Sequence, residues 1–227
     1  MSQPGVLFDV DGTLLDTNYL HAVAWARAFR DVSPVEELPD MARIHRAIGL
    51  SSDALVEKLL GHPDDAAVEA HSRRYDELRG RVEPRRTRGA SALLRLCSDE
   101  GLVVALATSG AEEDLEWMLP ALGARDAVTG ATTSSSVSSS KPSPDIFATA
   151  AEEHGVDLRS AAIVGDTVWD VEAATRLGVP AIGLTCGGLA AEELRVAGAE
   201  EVYEDPAALL AAYADDRTLL AGLGGGG

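Results

Sequence analysis

Short apolar segments alternate with amphipathic segments along most of the chain, and this alternation limits the folds that the sequence can adopt. The apolar runs are typical of strands buried on both faces, and the segments between them have helical spacing. Because strands that alternate with helices form parallel sheets, we predict an α/β fold. The predicted strands are 5–10, 102–107, 161–164, 180–184 and a short edge strand at 201–203, and the predicted helices are 89–100, 111–122, 144–154, 168–177 and one that begins at Pro206.

The region from about residue 16 to 82 has no convincing strand. Its apolar residues recur at helical spacing, first at Tyr19, Ala22, Val23, Ala26 and Phe29, and further helices are predicted at 41–48, 53–60 and 64–79. We therefore predict an all-helical cap at 16–81, inserted into a core made of 1–15 and 82–227. Ligands of open α/β sheets bind at the carboxyl edge of the strands, and an insert after the first strand would cover that edge.

The charge balance restricts the partners. The chain has 19 Lys+Arg against 37 Asp+Glu, a net charge of −18, whereas nucleic acids and anionic membranes require a basic stripe. No apolar stretch approaches the ~18 residues of a membrane span. The densest basic run is predicted to be a solvated helix end and loop; it comprises Arg79, Arg81, Arg85, Arg86 and Arg88.

Two widely spaced cysteines, Cys97 and Cys186, favour a reducing, cytoplasmic compartment.

Two segments of low complexity are predicted to lack regular structure. Residues 132–140 are almost entirely serine and threonine, which is typical of a polar loop, and residues 221–227 are rich in glycine, which is typical of a flexible tail.

A pair of acidic residues follows the first predicted strand. Asp9 and Asp11 are two residues apart, so their side chains point to the same side of an extended segment, and Gly12 allows a sharp turn after them. Two adjacent carboxylates repel each other unless a cation lies between them. Mg²⁺ prefers oxygen ligands of this kind.

A second acidic pair follows the strand predicted at 161–164. Asp166 lies at the end of that strand, where it can join the same metal site if the two strands are neighbours. Asp170 falls in the first turn of the next helix, where a carboxylate interacts favourably with the helix dipole.

A hydroxyl group and a lysine complete the pattern. Thr108, Ser109 and Gly110 lie between the strand at 102–107 and the next helix, where a hydroxyl and free backbone N–H groups can bind a phosphate. Lys141 precedes Pro142, which keeps it in an extended conformation ahead of a helix. Its ammonium group could neutralise the carboxylates and a phosphate.

Together these motifs resemble the haloacid dehalogenase-like superfamily of phosphatases. The resemblance covers nearly the whole chain: DVDGT carries the first acidic pair, ATSG carries Thr108, KPSPDIF begins with Lys141, and GDTVWD carries Asp166 and Asp170. It implies a Rossmann-like core with a helical cap between the first and second motifs, as in phosphoglycolate phosphatase and β-phosphoglucomutase relatives.

The resemblance also implies a role for each residue. Asp9 is expected to be the nucleophile that forms an aspartyl-phosphate, and Asp11 the general acid and base. Mg²⁺ is expected to bind Asp9, the backbone carbonyl of Asp11, and Asp166. Thr108, Ser109, Gly110 and Lys141 are expected to bind the phosphoryl group, and Asp170 to orient Lys141 or a metal-bound water.

The predicted reaction is Mg²⁺-dependent hydrolysis of a small phosphorylated metabolite by a monomer or homodimer. A β-phosphoglucomutase-like phosphomutase shares these residues and stays an alternative, whereas haloacid dehalogenation needs neither Asp11 nor a metal. Alternatives of another class are a phospho-acceptor module, whose acceptor aspartate is expected after a later strand, and a binding module without turnover, which is expected to lack a motif residue. The cap would select the substrate, and its polar candidates are His21, Arg43, His45, Arg46 and Lys58.

Overall fold

The computed structural model describes residues 2–34, 37–136, 141, 143–215 and 217–224. In this part of the chain six strands form one sheet, and all neighbouring strands are parallel. They are β1 (Gln3–Phe8), β2 (Val103–Ala107), β3 (Gly130–Thr132), β4 (Val156–Gly165), β5 (Ala181–Leu184) and β6 (Glu201–Tyr203). Their order is β3-β2-β1-β4-β5-β6, so the first strand lies in the middle of the sheet, and the predicted α/β fold is confirmed.

All five predicted strands are present, and β3 is the strand that the sequence did not indicate. It comprises three residues at the edge of the sheet, with Thr132 buried and paired with Ala107. A strand this short has no apolar alternation, so the sequence assigned Thr132 to a polar loop. Pro142 and residues 137–140 of that loop lie outside the described residues.

Helices pack on both faces of the sheet. One apolar cluster includes Leu93, Leu122 and Leu209, and the cluster on the other face includes Phe147, Ala174 and Leu194. Because both faces are covered, the central strands are almost wholly apolar, as expected for a parallel sheet. The helices concerned are α5 (Ala90–Asp99), α6 (Glu112–Leu122), α7 (Asp145–His154), α8 (Val168–Leu177), α9 (Ala191–Ala197), α10 (Pro206–Ala214) and α11 (Leu219–Gly224).

Four helices occupy the region between β1 and α5 and share an apolar cluster of their own. They are α1 (Asn18–Val32), α2 (Met41–Ala47), α3 (Ser52–Leu60) and α4 (Asp65–Arg79). The cluster includes Trp25, Phe29 and Ile44. The side chains of Asp40, Ser51 and Asp64 cap the first turns of α2, α3 and α4, which explains why these helices begin where they do.

The chain enters and leaves this helical region along two adjacent segments. The backbone N–H of Asp16 donates to Arg85 O at 2.8 Å, and that of Thr87 donates to Leu14 O at 3.0 Å. This pairing lies near the predicted boundaries at residues 15 and 82. The division into a core and a cap stays a prediction.

The end of the described chain is helical up to Gly224. Leu220 is buried and Leu223 packs against the core, so residues 221–224 of the predicted flexible tail belong to α11, and residues 225–227 lie outside the described residues. The tail was predicted from its glycines, which hide the apolar spacing of Leu219, Leu220 and Leu223.

Two further observations concern the predicted location. None of the helices in the described ranges is long and apolar enough to cross a membrane. Cys97 and Cys186 are both free thiols. The cytoplasmic compartment stays a prediction.

Candidate active site

The carboxyl end of β1 places Asp9 beside Asp166. β1 and β4 are neighbours with Phe8 opposite Val164, and the backbone N–H of Asp9 donates to Val164 O at 2.9 Å. The segment after β4 therefore brings Asp166 to the same edge of the sheet. Both carboxylates are buried, and the proximity expected from the sequence is present.

Lys141 lies between two of the carboxylates. Its side chain is fully buried, and Nζ forms ion pairs with Asp9 Oδ1 and, at 2.7 Å, with Asp170 Oδ1. Burial alone would lower the pKa of Lys141, but Asp170 and Asp9 outweigh burial and raise it. The ammonium group is therefore charged, and it contacts Asp9 and Asp170 at the same time. The role of Asp170 in orienting Lys141 or a metal-bound water stays a prediction.

Two side chains donate hydrogen bonds to Asp166, and a glycine leaves room for its carboxylate. Thr13 Oγ1 donates to its Oδ1 at 2.9 Å, and Asn18 Nδ2 donates to its Oδ2 at 2.8 Å. A Cβ at Gly187 would overlap this carboxylate, so the glycine gives it room. Asn18, at the start of α1, is a site residue that the sequence did not single out.

Asp11 is anchored by two side chains of the helical region and by Thr108, which directly follows β2. Thr17 Oγ1 donates to its Oδ1 at 2.5 Å, Thr108 Oγ1 donates to its Oδ2 at 3.2 Å, and His21 Nε2 lies 3.4 Å from its Oδ1. Burial alone would raise the pKa of Asp11, but the hydrogen bond and charge of His21 and the two hydroxyls outweigh it and lower the pKa. Asp11 and His21 thus form a carboxylate–imidazole pair.

The predicted phosphate-binding segment lies directly before α6. The backbone N–H of Gly110 donates to Thr108 Oγ1 at 3.0 Å, which orders the turn. The Ser109 hydroxyl donates to Gly49 O at 3.0 Å, in the connection between α2 and α3. The segment therefore faces Asp11 on one side and the helical region on the other.

The carboxylates of the site outnumber its cations. Burial raises the pKa of Asp9 to about 7, a shift that Lys141 opposes and that Asp170 and Asp11 reinforce. Burial also raises the pKa of Asp166 well above its usual range, and Asp9 and Asp170 add to this shift. Lys141 neutralises one of the three charges on Asp9, Asp166 and Asp170, so the ionised cluster would keep two negative charges.

This donor set fits a divalent cation. Asp9, Asp166 and Asp170 each offer an oxygen within 4.8 Å of the others, and a hard cation would relieve their repulsion. Asn18 Oδ1 is buried and has no hydrogen-bond partner among the described residues, so it can accept a hydrogen bond from a metal-bound water. The Asp11 side chain is not in this group, so a ligand from Asp11 would have to be its backbone carbonyl. Asp170, which was predicted only to orient Lys141 or a metal-bound water, is a member of the group.

A cavity of about 300 Å³ opens above Asp9 and Asp11, between the helical region and the start of α6. Several of its wall residues were not identified from the sequence: Trp25, His71, Tyr75, Asp76, Arg79, Glu113 and Asp114. His71, Tyr75 and Arg79 are four residues apart on α4, so their spacing indicates a shared face. Arg79 is correspondingly not the solvated helix end that the sequence predicted, because it pairs with Asp76 and Asp114.

Of the five polar candidates for substrate selection in the helical region, His21 lines the cavity. The other four contact other groups. Arg43 donates to Leu59 O, His45 Nε2 lies 2.9 Å from Gly187 O, Arg46 pairs with Glu193, and Lys58 lies over the Trp169 ring.

Comparisons with known proteins identify relatives of this chain. The sequence profile of the haloacid dehalogenase-like hydrolases matches residues 6–184. The chain is 32% identical to a probable phosphatase IndB of Dickeya dadantii, over 89% of this chain and 90% of that protein. It is 28% identical to a phosphoglycolate phosphatase of Rhodospirillum rubrum, over 90% and 88%.

A solved structure is also similar to this chain. The crystal structure of a hydrolase from Pseudomonas syringae superimposes with a TM-score of 0.84 at 34% identity, covering 95% of this chain and all of that one. The prediction of a phosphoric monoester hydrolase is confirmed by the profile and the relatives. The chain belongs to the haloacid dehalogenase-like hydrolase family.

Proposed function

We propose that the protein is a Mg²⁺-dependent phosphatase that hydrolyses a small phosphate monoester through an aspartyl-phosphate on Asp9. The observation that carries this proposal is the position of Asp9, which is buried at the floor of the cavity, paired with Lys141, and close to Asp166 and Asp170. These groups supply a nucleophile, a fixed cation and a metal site at one point.

In the first step a carboxylate oxygen of Asp9 attacks the phosphorus atom, and the bond from phosphorus to the ester oxygen breaks. The leaving alkoxide takes a proton from the pair formed by Asp11 and His21, whose atoms lie 3.4 Å apart. Lys141 orients Asp9 and reduces the repulsion between its carboxylate and the phosphoryl oxygens.

In the second step a water molecule attacks the phosphorus atom of the aspartyl-phosphate. The pair of Asp11 and His21, which gave up its proton in the first step, regains one from the water through the Asp11 carboxylate. The bond from phosphorus to the Asp9 oxygen breaks, so inorganic phosphate leaves and the Asp9 carboxylate is restored. We propose that Thr108 Oγ1, the backbone N–H groups of Ser109 and Gly110, and Lys141 bind the phosphoryl oxygens in both steps.

Mg²⁺ would be held by Asp9, the backbone carbonyl of Asp11, and Asp166, with Asp170 and Asn18 close enough to bind its water ligands. When bound, it would offset charge on the phosphoryl oxygens. We propose that residues 16–81 act as a cap that selects a small phosphorylated metabolite. The substrate names of the relatives, phosphoglycolate among them, provide starting compounds for a test.

The test is the release of phosphate from a panel of esters, with Mg²⁺ or with a chelator. Asp9→Asn is compared with wild type, and Asp16→Asn is the matched control because Asp16 is exposed. We expect metal-dependent release that is lost in Asp9→Asn and kept in Asp16→Asn. Conversion of a sugar phosphate to its isomer without net release would contradict hydrolysis and indicate a mutase.

A further inference from the structure

Apart from Asp9 and Asp11, much of the cavity wall comes from α1, α4 and the first turn of α6. The leaving group of a substrate bound through its phosphoryl group at Asp9 would occupy this cavity. Its chemistry is therefore set by the groups on these walls, and the charged ones are Asp76, Arg79, Glu113 and Asp114.

The positive charge on these walls is already neutralised. Of the described residues that line the cavity, Arg79 alone has a permanent positive charge, and its guanidinium lies 2.9 Å from Asp76 Oδ1 and 2.5 Å from Asp114 Oδ1. Glu113 adds a further carboxylate. His71 is buried, and burial and His21 hold its pKa well below its usual range, so it is neutral at pH 7.

A second anion in the substrate would consequently meet net negative charge. A carboxylate or a second phosphate would have to displace Asp76 or Asp114 from Arg79, and it would lie near the remaining carboxylates. Like charges brought together in a binding site discriminate strongly against a ligand.

The same walls offer a hydrogen-bonding group that has no partner. Tyr75 is 3% exposed, and its hydroxyl oxygen is buried without a hydrogen-bond partner among the described residues. Burial, together with Asp11 and Asp114, raises the pKa of Tyr75, so the hydroxyl stays neutral. A buried hydroxyl without a partner is costly, and a ligand hydroxyl in the cavity would satisfy it.

The rings around Tyr75 are already stacked on one another. Trp25 lies 4.0 Å from His71, and His21 lies 4.0 Å from Tyr75, each pair nearly parallel. In each pair, the ring faces that stack on one another are therefore not free to contact a ligand. The wall also includes the aliphatic side chains of Ile48, Leu50 and Leu55 and the hydroxyls of Ser52 and Ser72.

We propose that the leaving group is hydroxylated and has no negative charge, so that the phosphoryl group is the only anion of the substrate, and that Tyr75 bonds one of its hydroxyls. This inference rests on the proposed phosphatase function. It makes Tyr75 and the triad of Asp76, Arg79 and Asp114 determinants of specificity, and it disfavours phosphoglycolate and sugar bisphosphates as substrates.

The experiment compares kcat/KM for esters that differ in one group, with Mg²⁺ present. Glycerol 1-phosphate is paired with 3-phosphoglycerate, and glucose 6-phosphate with glucose 1,6-bisphosphate. We expect the member of each pair whose leaving group carries no charge to be hydrolysed about tenfold faster or more. Equal rates, or faster hydrolysis of the anionic members, would overturn the proposal.

Two variants assign the effect to the named residues. Tyr75→Phe should lower kcat/KM for the hydroxylated esters by about two- to tenfold. The loss should be larger than the loss for p-nitrophenyl phosphate, and an equal loss for both would overturn the role of Tyr75.

Asp76→Asn should raise kcat/KM for the esters with an anionic leaving group, relative to their partners, by about two- to fivefold. Glu77→Gln is the matched control, because Glu77 pairs with Arg74 outside the cavity, and it should leave the ratio unchanged.

A binding measurement distinguishes a failure of this specificity proposal from a failure of the proposed phosphatase function. If wild type releases phosphate from no ester, the proposed function fails, and calorimetry with Asp9→Asn and Mg²⁺ measures the same ester pairs by affinity alone. Tighter binding of the member whose leaving group carries no charge supports the inference without turnover. Equal affinity, or no binding of either member, overturns it.

Discussion

The central residues of the site stabilise one another by opposite charge. Lys141 is fully buried and contacts both Asp9 and Asp170. A buried charge is tolerated only when it is paired, so the contacts that would orient the proposed nucleophile Asp9 also keep Lys141 in the core. Function and stability are therefore linked at this residue.

Lys141→Met should destabilise the metal-free protein and abolish phosphate release. Removing one partner of a buried ion pair costs about 3–5 kcal/mol, because Asp9 and Asp170 would face each other without a cation. Urea denaturation measures the free energy of unfolding. Lys58→Met is the control, since Lys58 is exposed over the Trp169 ring and should cost less than about 1 kcal/mol. Equal losses for the two variants would contradict this account.

The stability of the metal-free protein should depend on the Asp9 carboxyl. Its pKa is raised from 3.8 to about 7 by burial, so between these values the folded state binds more protons than the unfolded state. The contribution of Asp9 is therefore present at low pH and is lost as the pH rises through this window.

The measurement is the difference in unfolding free energy between wild type and Asp9→Asn from pH 4 to pH 8 with a chelator present. His71 acts in the opposite direction, because its lowered pKa makes the folded protein less stable as the pH falls. Both proteins contain His71, so its contribution cancels in the difference between their unfolding free energies. We expect wild type to lose stability relative to Asp9→Asn as the pH rises. A constant difference would mean that the Asp9 pKa is not raised.

At the scale of elements, the sequence predicts the positions of those helices and strands that show a regular pattern of apolar residues. The helices α1 to α4 lie within a few residues of their predicted positions, because each buries a regular apolar stripe and three of them have capping side chains. The strand β3 and the helix α9 were missed because β3 (Gly130–Thr132) has no large apolar residue and α9 buries only Leu194, so neither segment shows an apolar pattern.

Only some residues of the candidate site could be assigned from the sequence. Asp9, Asp11, Thr108, Lys141 and Asp166 follow strands or precede helices, so parallel pairing brings them together. Asn18, Tyr75 and Asp114, in contrast, lie on helices whose packing over the sheet decides what they face. Helical spacing identifies a shared face but not the group opposite, so these residues could not be assigned from the sequence.

The loop after β5 should control metal binding through its contact with Asp166. A Cβ at Gly187 would overlap the Asp166 carboxylate, so Gly187→Ala should displace this ligand and weaken Mg²⁺ binding by about 10- to 100-fold. Gly222→Ala is the matched control, since nothing lies within 4 Å of a Cβ there. Calorimetric titration with Mg²⁺ measures both variants, and unchanged affinity in Gly187→Ala would show that Asp166 does not bind the metal.

At the scale of the whole molecule, the net charge opposes the approach of an anionic substrate. The chain carries a formal charge of −18, and such a field slows the association of like-charged ligands. Because salt screens this repulsion, kcat/KM for a phosphate ester should rise as the ionic strength increases from about 20 to about 200 mM at constant Mg²⁺ activity. A steep fall would instead show that local attraction at the site dominates association.

The most direct test of the central claim is to find the phosphoryl group on Asp9. A single turnover with excess enzyme and Mg²⁺, stopped in acid within milliseconds, is followed by proteolysis and mass spectrometry of the N-terminal peptide. The account predicts a transient phosphoryl group on Asp9 that appears before free phosphate and is absent from Asp9→Asn. Phosphate release without this phosphopeptide, or a phosphoryl group on another residue, would contradict it.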